Sequence, residues 1–302
     1  MRAYVGITDI EWFELLRQFL HLEEINFWQP SGNRQFKALN PGELFLFKLH
    51  HPHNFIVGGG FFAYSSLIPI SLAWESFQEA NGARNLSEMR ARVAKYRHTN
   101  EPSITNYTIG CILLEQPFFL PENSWIPVPS DWKSNIVQGR TYDLSTEPGL
   151  SLWKQLHVSM LFASAVHETA RFGQPVLTLP RLGQGSFRVM VTDAYDRRCA
   201  VTNERTLPAL DAAHIKPYSE EGQHVVKNGI LMRRDLHALF DKGYLTITPS
   251  NKVQVSRRIK EEFENGRDYY RLQDSTIRLP TNPSNHPSRA FLEWHNSNIY
   301  LG

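Results

Sequence analysis

The chain has 302 residues and a formal net charge of +2, and 41% of its residues are hydrophobic and 12% aromatic. That composition excludes a disordered chain and supports packed cores, and at about 150 residues per domain the length predicts two domains. The two cysteines, Cys111 and Cys199, lie far apart in sequence, which excludes a disulfide framework and a four-thiolate zinc site and fits a reducing, cytoplasmic setting.

The N-terminus, MRAYVGITDIEWFELL, carries Asp9, Glu11 and Glu14 early and does not read as a signal peptide. No stretch approaches the roughly 18 apolar residues a membrane helix needs, so no membrane partner is expected. GELFLFKL (42–49) and NFIVGGGFFAYSSL (54–67) mix aromatic and β-branched residues with glycine, as short strands with bulges do. ISLAWESFQEANGA (70–83) places Leu72, Ala73, Phe77 and Ala80 at helical spacing and ends on Asn81-Gly82. A second helix is expected over 85–97, capped by Ser87, with Met89, Val93 and Tyr96 on its apolar face. TIGCILLEQPFFL (108–120) reads as a buried strand followed by an edge interrupted by Pro117. A Pro-rich loop flanked by Trp125 and Trp132 follows.

Around Glu147-Pro148-Gly149 the pattern changes. Leu152, Leu156, Met160 and Ala163 recur every four residues or so, and Gly173 and Pro175 end the run. The predicted organisation is therefore a strand-rich domain over 1–147, a linker helix over 148–178 and a second domain over 179–302. The last of these holds the excess of Lys and Arg, part of it in the pairs Arg197-Arg198, Arg233-Arg234 and Arg257-Arg258. The first two pairs are candidate contacts to DNA phosphates.

The stretch LDAAHIKPYSEEGQHVVKNGILMRRDLHALFDKG (210–243) carries the chemistry. His214 is followed by Asn228 fourteen residues on and by His237 nine further. The segment to Pro217 reads as a strand leaving a turn. GILM reads as a strand after an Asn228-Gly229 turn, and RRDLHALFDKG as a helix with Leu236, Leu239 and Phe240 on one face and Gly243 as its stop. Asp235 is expected to cap that helix.

AHIKPYS, NGILMRRDLHALFDKG and the RCAVT lead-in, in that order, resemble the HNH endonuclease family over about 181–248. The resemblance implies a ββα-metal fold gripping one divalent cation, Mg²⁺ or Mn²⁺ first and Zn²⁺, Ni²⁺ or Co²⁺ as alternatives. It implies His214 as the general base that takes a proton from water. Asn228 shapes the loop, and His237 ligates the metal. Ala213 stands where many members carry a second ligand, which leaves Asp211 first and Asp241 second for that role. His224 and His157 receive no role.

The first half weakly resembles the PUA-superfamily barrels (EVE- and SRA-like) that read modified bases. That resemblance rests on the VGGGFF run, the aromatic content and the domain order. Trp28, Phe62, Tyr64 and Trp74 are the candidate base-binding aromatics, with Trp125 and Trp132 behind them. Together the two resemblances imply an α+β chain: a PUA-like β-barrel with flanking helices, a linker helix and an HNH nuclease domain. They imply a metal-dependent endonuclease acting on double-stranded DNA that carries modified cytosine. Three alternatives stand beside it: an HNH nuclease whose first domain binds protein or unmodified DNA, an inactive DNA-binding protein, and an oligomer of any of these.

Overall fold

The computed structural model describes residues 1–19, 22–97, 106–166 and 183–302. The chain divides into two compact units, Met1–Pro180 and Arg181–Gly302. No helix among the described residues is long and apolar enough to cross a membrane.

The first unit is built on one sheet. Its strands are β1 (Arg2–Thr8), β2 (Glu24–Gln29), β3 (Leu44–Leu49), β4 (Phe55–Pro69), β5 (Thr108–Phe119), β6 (Ile126–Pro127) and β7 (Gly139–Asp143). They run in the order β2-β5-β4-β3-β1-β7, with β6 paired to β4. Only β1 and β3 pair in parallel. All six residues of β3 are buried, as expected of a strand covered on both faces. Its alternation sorts two cores. Phe45 and Phe47 join Trp12, Phe13 and Leu16 of helix α1 (Ile10–Leu16) on one face. Leu44 and Leu46 join Leu152 and Leu156 of helix α4 (Gly149–Val166) on the other.

Helices α2 (Ile70–Phe77) and α3 (Leu86–Arg97) lie where the periodicity puts them. Two details differ. The α3 cap is Asn85, whose side-chain oxygen accepts from the Glu88 amide at 2.9 Å; Ser87 lies one residue inside the helix. Pro117 sits within β5, just after Gln116 at φ 48°. The expected linker helix is present to Val166, and its first turns pack on the first unit's sheet. The Ala163 side chain, Gly173 and Pro175 lie outside the described residues.

The VGGGFF run reflects crowding. A Cβ on Gly58 would meet the Phe118 carbonyl oxygen at 2.3 Å, and one on Gly59 the Phe45 carbonyl oxygen at 2.6 Å. These glycines let neighbouring backbones approach.

The barrel expected from sequence is not closed among the described residues, because no pairing joins β2 to β7. Instead β2 is occupied by the turn after α2. Asn26 donates to Asn81 Oδ1 at 2.8 Å, and the Trp28 indole donates to the Asn81 carbonyl at 3.0 Å. Gly82 then turns the chain at φ 72°, where a Cβ would strike the Trp12 ring at 2.0 Å.

In the second unit, β8 (Leu210–His214) and β9 (Gly229–Arg233) form an antiparallel pair. Helices α5 (Gln184–Ala194) and α6 (Arg234–Asp241) contribute Phe187, Val191, Leu236 and Phe240 to the core beneath it. A second pair, β10 (Leu245–Ile247) with β11 (Val253–Val255), and helices α7 (Arg258–Phe263), α8 (Arg267–Tyr270) and α9 (Arg289–Asn298) complete it. On α9, His295 is a core histidine, stacked on Phe240, with its ring nitrogens bonded to Thr246 and to the Phe240 carbonyl.

Glu115 on β5 is the costly residue of the first unit. It is fully buried, pairs across the sheet with Glu24, and neither carboxylate oxygen finds a hydrogen-bond partner among the described residues. Burial, and secondarily Glu24, push it from 4.5 up to about 7. The folded chain therefore holds this proton more tightly than the unfolded chain. Stability should be undiminished below the ordinary glutamate range and should fall as pH rises from about 4.5 through about 7. Glu115→Gln should flatten that fall. Urea denaturation should show the variant more stable than the parent at pH 8, by at most on the order of 3 kcal/mol, with the gap shrinking by pH 5. Parallel pH trends in the two proteins would contradict the assignment.

Candidate functional site

The site is assembled on β8, the loop 215–228, β9 and α6. His214 ends β8, Asn228 ends a single 3₁₀ turn (Val226–Asn228) and His237 lies in the middle of α6. The strand–loop–strand–helix order matches the sequence expectation, with one correction. Asn228-Gly229 is not a hairpin turn, since Gly229 is extended at φ −124° and opens β9. Its lack of a side chain serves helix packing instead. A Cβ there would meet Val191 at 2.4 Å and the Phe187 ring at 2.8 Å.

Asn228 is fully buried and braces the loop with three bonds. Its Oδ1 accepts from the Lys216 amide, and its Nδ2 donates to the carbonyls of Lys216 and Gln223, each at 2.9 Å. A carboxamide is suited to this task because it presents an acceptor and two donors in one plane. The brace holds both ends of the segment 216–223, and so fixes where His214 and His224 stand.

His214 is sandwiched. Its ring stacks on Phe187 with centroids 3.8 Å apart and planes 12° off parallel, and its Nε2 lies 2.9 Å from Nδ1 of His224. Tyr218, itself exposed, stacks on the other ring at 4.8 Å. Burial first, then the imidazoles of His224 and His237, lower His214 to about 4. His224, which the sequence reading left without a role, is therefore part of the site. Spacing alone could not reveal it, because the loop brings it back across ten residues. His157 is exposed on α4 near Trp153.

His237 stands between carboxylates. Nδ1 is 3.3 Å from Asp211 Oδ2, and Nε2 is 3.2 Å from Asp241 Oδ2. Burial opposes its charge, yet hydrogen bonds to Asp211 and Asp241 raise it to about 9. Asp211 is held below the usual carboxylate range: burial works against this, but His237 and Arg188, the latter 3.8 Å away, outweigh it. Both acids proposed as metal ligands thus flank His237. Among the described residues no three His, Cys, Asp or Glu side chains form a ready-made metal cage. Two carboxylates on one imidazole are nonetheless a fitting donor set for a divalent cation. A cation on one nitrogen would take the place of the proton, and the other nitrogen would keep its carboxylate, a common way to orient a ligating histidine. Asp235 lies in the first turn of α6, and its carboxylate pairs with Arg233.

The remaining candidates are spread out. Arg197 pairs with Asp193, and Arg198 Nε is buried without a partner among the described residues. Arg234 is exposed at the start of α6. In the first unit Trp28 and Phe62 are core residues, the former with its indole N–H already used and the latter packed edge-on against Phe36. Tyr64 and Trp74 are half-buried.

Residues 199–248 match the family model described as HNH endonuclease. Among solved structures the chain is similar to a modification-dependent TagI restriction endonuclease, at 13% identity and a TM-score of 0.30, covering 93% of this chain and 77% of that one. No curated protein matches the chain.

Removing the loop brace should be expensive. Asn228→Ala leaves the Lys216 amide and two carbonyls unpaired in a buried place, and should cost about 2–3 kcal/mol in urea denaturation. Asn228→Asp should cost at least as much, because a carboxylate then faces two carbonyl oxygens. Wild-type stability in both variants would remove the brace.

Proposed function

We propose that the protein is a modification-dependent restriction endonuclease. Its second unit hydrolyses phosphodiester bonds of double-stranded DNA at an HNH site, and its first unit senses modified cytosine. The observation that carries the nuclease reading is the constellation of His214 on β8, Asn228 in the turn before β9 and His237 on α6, inside the segment that matches the HNH endonuclease model.

In this reading His214 is the general base. Kept neutral by burial and by its imidazole neighbours, it has a lone pair ready for the proton of the attacking water at pH 7. Phe187 fixes the plane of the ring. His237, with Asp211 as first co-ligand and Asp241 orienting the imidazole, holds one divalent cation, with Mg²⁺ or Mn²⁺ favoured by the oxygen donors. That ion supplies charge neutralisation at the scissile phosphate. Arg234, with Arg197, Arg198 and Arg233, supplies phosphate contacts.

The reading of the first unit is supported by what it offers beside a nuclease domain: a strand-rich, aromatic-rich body with Tyr64 and Trp74 only half-buried. A flipped base gains on the order of 1–3 kcal/mol from stacking on such rings. The other reading, an HNH nuclease whose first unit binds unmodified DNA or protein, is an outcome of the same test.

His214→Ala should retain its fold and lower plasmid cleavage by about 10²–10⁴. EDTA should abolish cleavage, and Mg²⁺ or Mn²⁺ should restore it. Wild-type cutting by folded His214→Ala would remove His214 as the general base.

Metal titration should show a larger loss of Mn²⁺ affinity in Asp211→Asn than in Asp241→Asn. The latter loss should lie in the range of about 10–100-fold typical of an orienting partner. The reverse order would exchange the two roles.

With cleavage silenced by His214→Ala, gel-shift titrations at fixed salt should show about 5- to 10-fold tighter binding to duplexes with methylated or hydroxymethylated cytosine. Trp74→Ala or Tyr64→Ala should abolish that preference. Equal affinity for all duplexes would leave the nuclease and remove the reader.

A further inference from the structure

We infer that His224 is a positioning residue for the reaction, selecting the tautomer of His214 that can act as a base. The inference rests on the proposed role of His214 and on one contact, the 2.9 Å approach of His214 Nε2 to His224 Nδ1.

Two neutral imidazoles meeting nitrogen to nitrogen can hold only one proton between them, so one ring donates and the other accepts. If His214 donates through Nε2–H, its Nδ1 carries a lone pair. That nitrogen makes no hydrogen bond among the described residues, and it is the atom left to receive a proton from water. If His224 donates instead, His214 must carry its own proton on Nδ1 and has no lone pair to offer. The acceptor at His224 Nδ1 therefore decides whether His214 is a base.

The surroundings hold this contact in place. His214 cannot swing in its plane without leaving the Phe187 ring, 3.8 Å away and nearly parallel. His224 is held from the far side by Tyr218, whose ring lies 14° from parallel at 4.8 Å. An exposed tyrosine stacked on the second histidine makes sense if that ring must keep its angle. The loop end carrying both residues is tied down by Asn228 through Lys216 and Gln223, the neighbours of His214 and His224.

The proton balance is simple. One water O–H bond breaks, the proton joins His214 Nδ1, and the resulting imidazolium keeps Nε2–H directed at His224. That bond was neutral before the transfer and is charge-assisted after it, so it is stronger in the product of proton transfer than in the ground state.

The first measurement needs no substrate. ¹⁵N NMR of the histidine-labelled full chain, assigned with His214→Ala and His224→Phe, should show His214 protonated on Nε2 and bare on Nδ1. In His224→Phe, which keeps an aromatic ring between Phe187 and Tyr218 but removes the acceptor, that tautomer should lose its preference. The second measurement is cleavage. His224→Phe should lower kcat by about 10- to 100-fold, the scale of one charge-assisted hydrogen bond, with KM and Mn²⁺ affinity unchanged. His224→Asn, whose side-chain oxygen can accept near the Nδ1 position, should recover most of the loss.

His214 bare on Nε2 in the wild-type spectrum would overturn the inference. So would wild-type kcat in His224→Phe, or an effect confined to KM. If His224→Phe fails to fold, the wild-type spectrum and His224→Asn still decide. Wild-type cleavage by His214→Ala would instead strike the proposed base role of His214, and the tautomer measurement would stand apart from it.

Discussion

The three hydrogen bonds of the Asn228 carboxamide are the constraint on which the second unit's site depends. The loop between β8 and β9 reaches the core through Ile215 and Val226 near its ends, and the stretch between them is rich in glycine, proline and charged residues. That stretch has little packing to hold it, and ordering each residue costs about 1–2 kcal/mol of backbone entropy. Asn228 substitutes for packing by satisfying both backbone groups of Lys216 and the carbonyl of Gln223. Those two residues adjoin His214 and His224, within two and one positions respectively. One buried amide thereby converts a polar loop into a frame for two imidazoles.

The other half of the frame is helical. Phe187 and Val191 of α5 press on Gly229, and Phe187 also on the His214 ring, so the strand pair and His214 are seated on one helix face. α6 starts immediately after β9 and brings His237 over Asp211 of β8. Helical spacing does the rest, placing Asp241 one turn below His237. The two carboxylates that reach His237 thus come from β8, three residues before His214, and from the helix itself.

Much of this was legible in the sequence, and the parts that were not have identifiable causes. Strand, strand and helix around His214 and His237 follow from short apolar runs bounded by Pro217, Gly229 and Gly243. Asn228-Gly229 was read as a turn, whereas Asn228 closes a 3₁₀ turn and Gly229 already belongs to the strand, because the same dipeptide serves a turn or a close helix contact and only α5 distinguishes them. His224 was missed because its partner lies across a loop with no periodicity. Trp28 and Phe62 were candidates for a base pocket and lie in the core, because a buried strand face and a ligand-stacking face have the same aromatic composition. Ser87 was preferred to Asn85 as a cap because both are good capping residues two positions apart, and the α3 start decides between them. The VGGGFF run signals close backbone approach in the sheet, which a glycine run shares with many ligand-binding loops.

The site also gives opposite environments to one residue type. His214, desolvated and beside other imidazoles, falls to about 4, while His237, desolvated to a similar degree but held by two carboxylates, rises to about 9. Identical side chains on adjoining elements are thereby driven about five units apart by their neighbours, which is the pattern that separates acid–base roles in one site. A base of low proton affinity is always available at neutral pH but is weak, since proton-transfer efficiency follows basicity. A hydrogen-bond acceptor behind its other nitrogen answers that weakness, because it stabilises the imidazolium more than the neutral ring. On the proposed reading, the depressed affinity of His214 and an acceptor at His224 are two sides of one design. The burial that would keep such a base free of protons would also strengthen the bond that helps it take one.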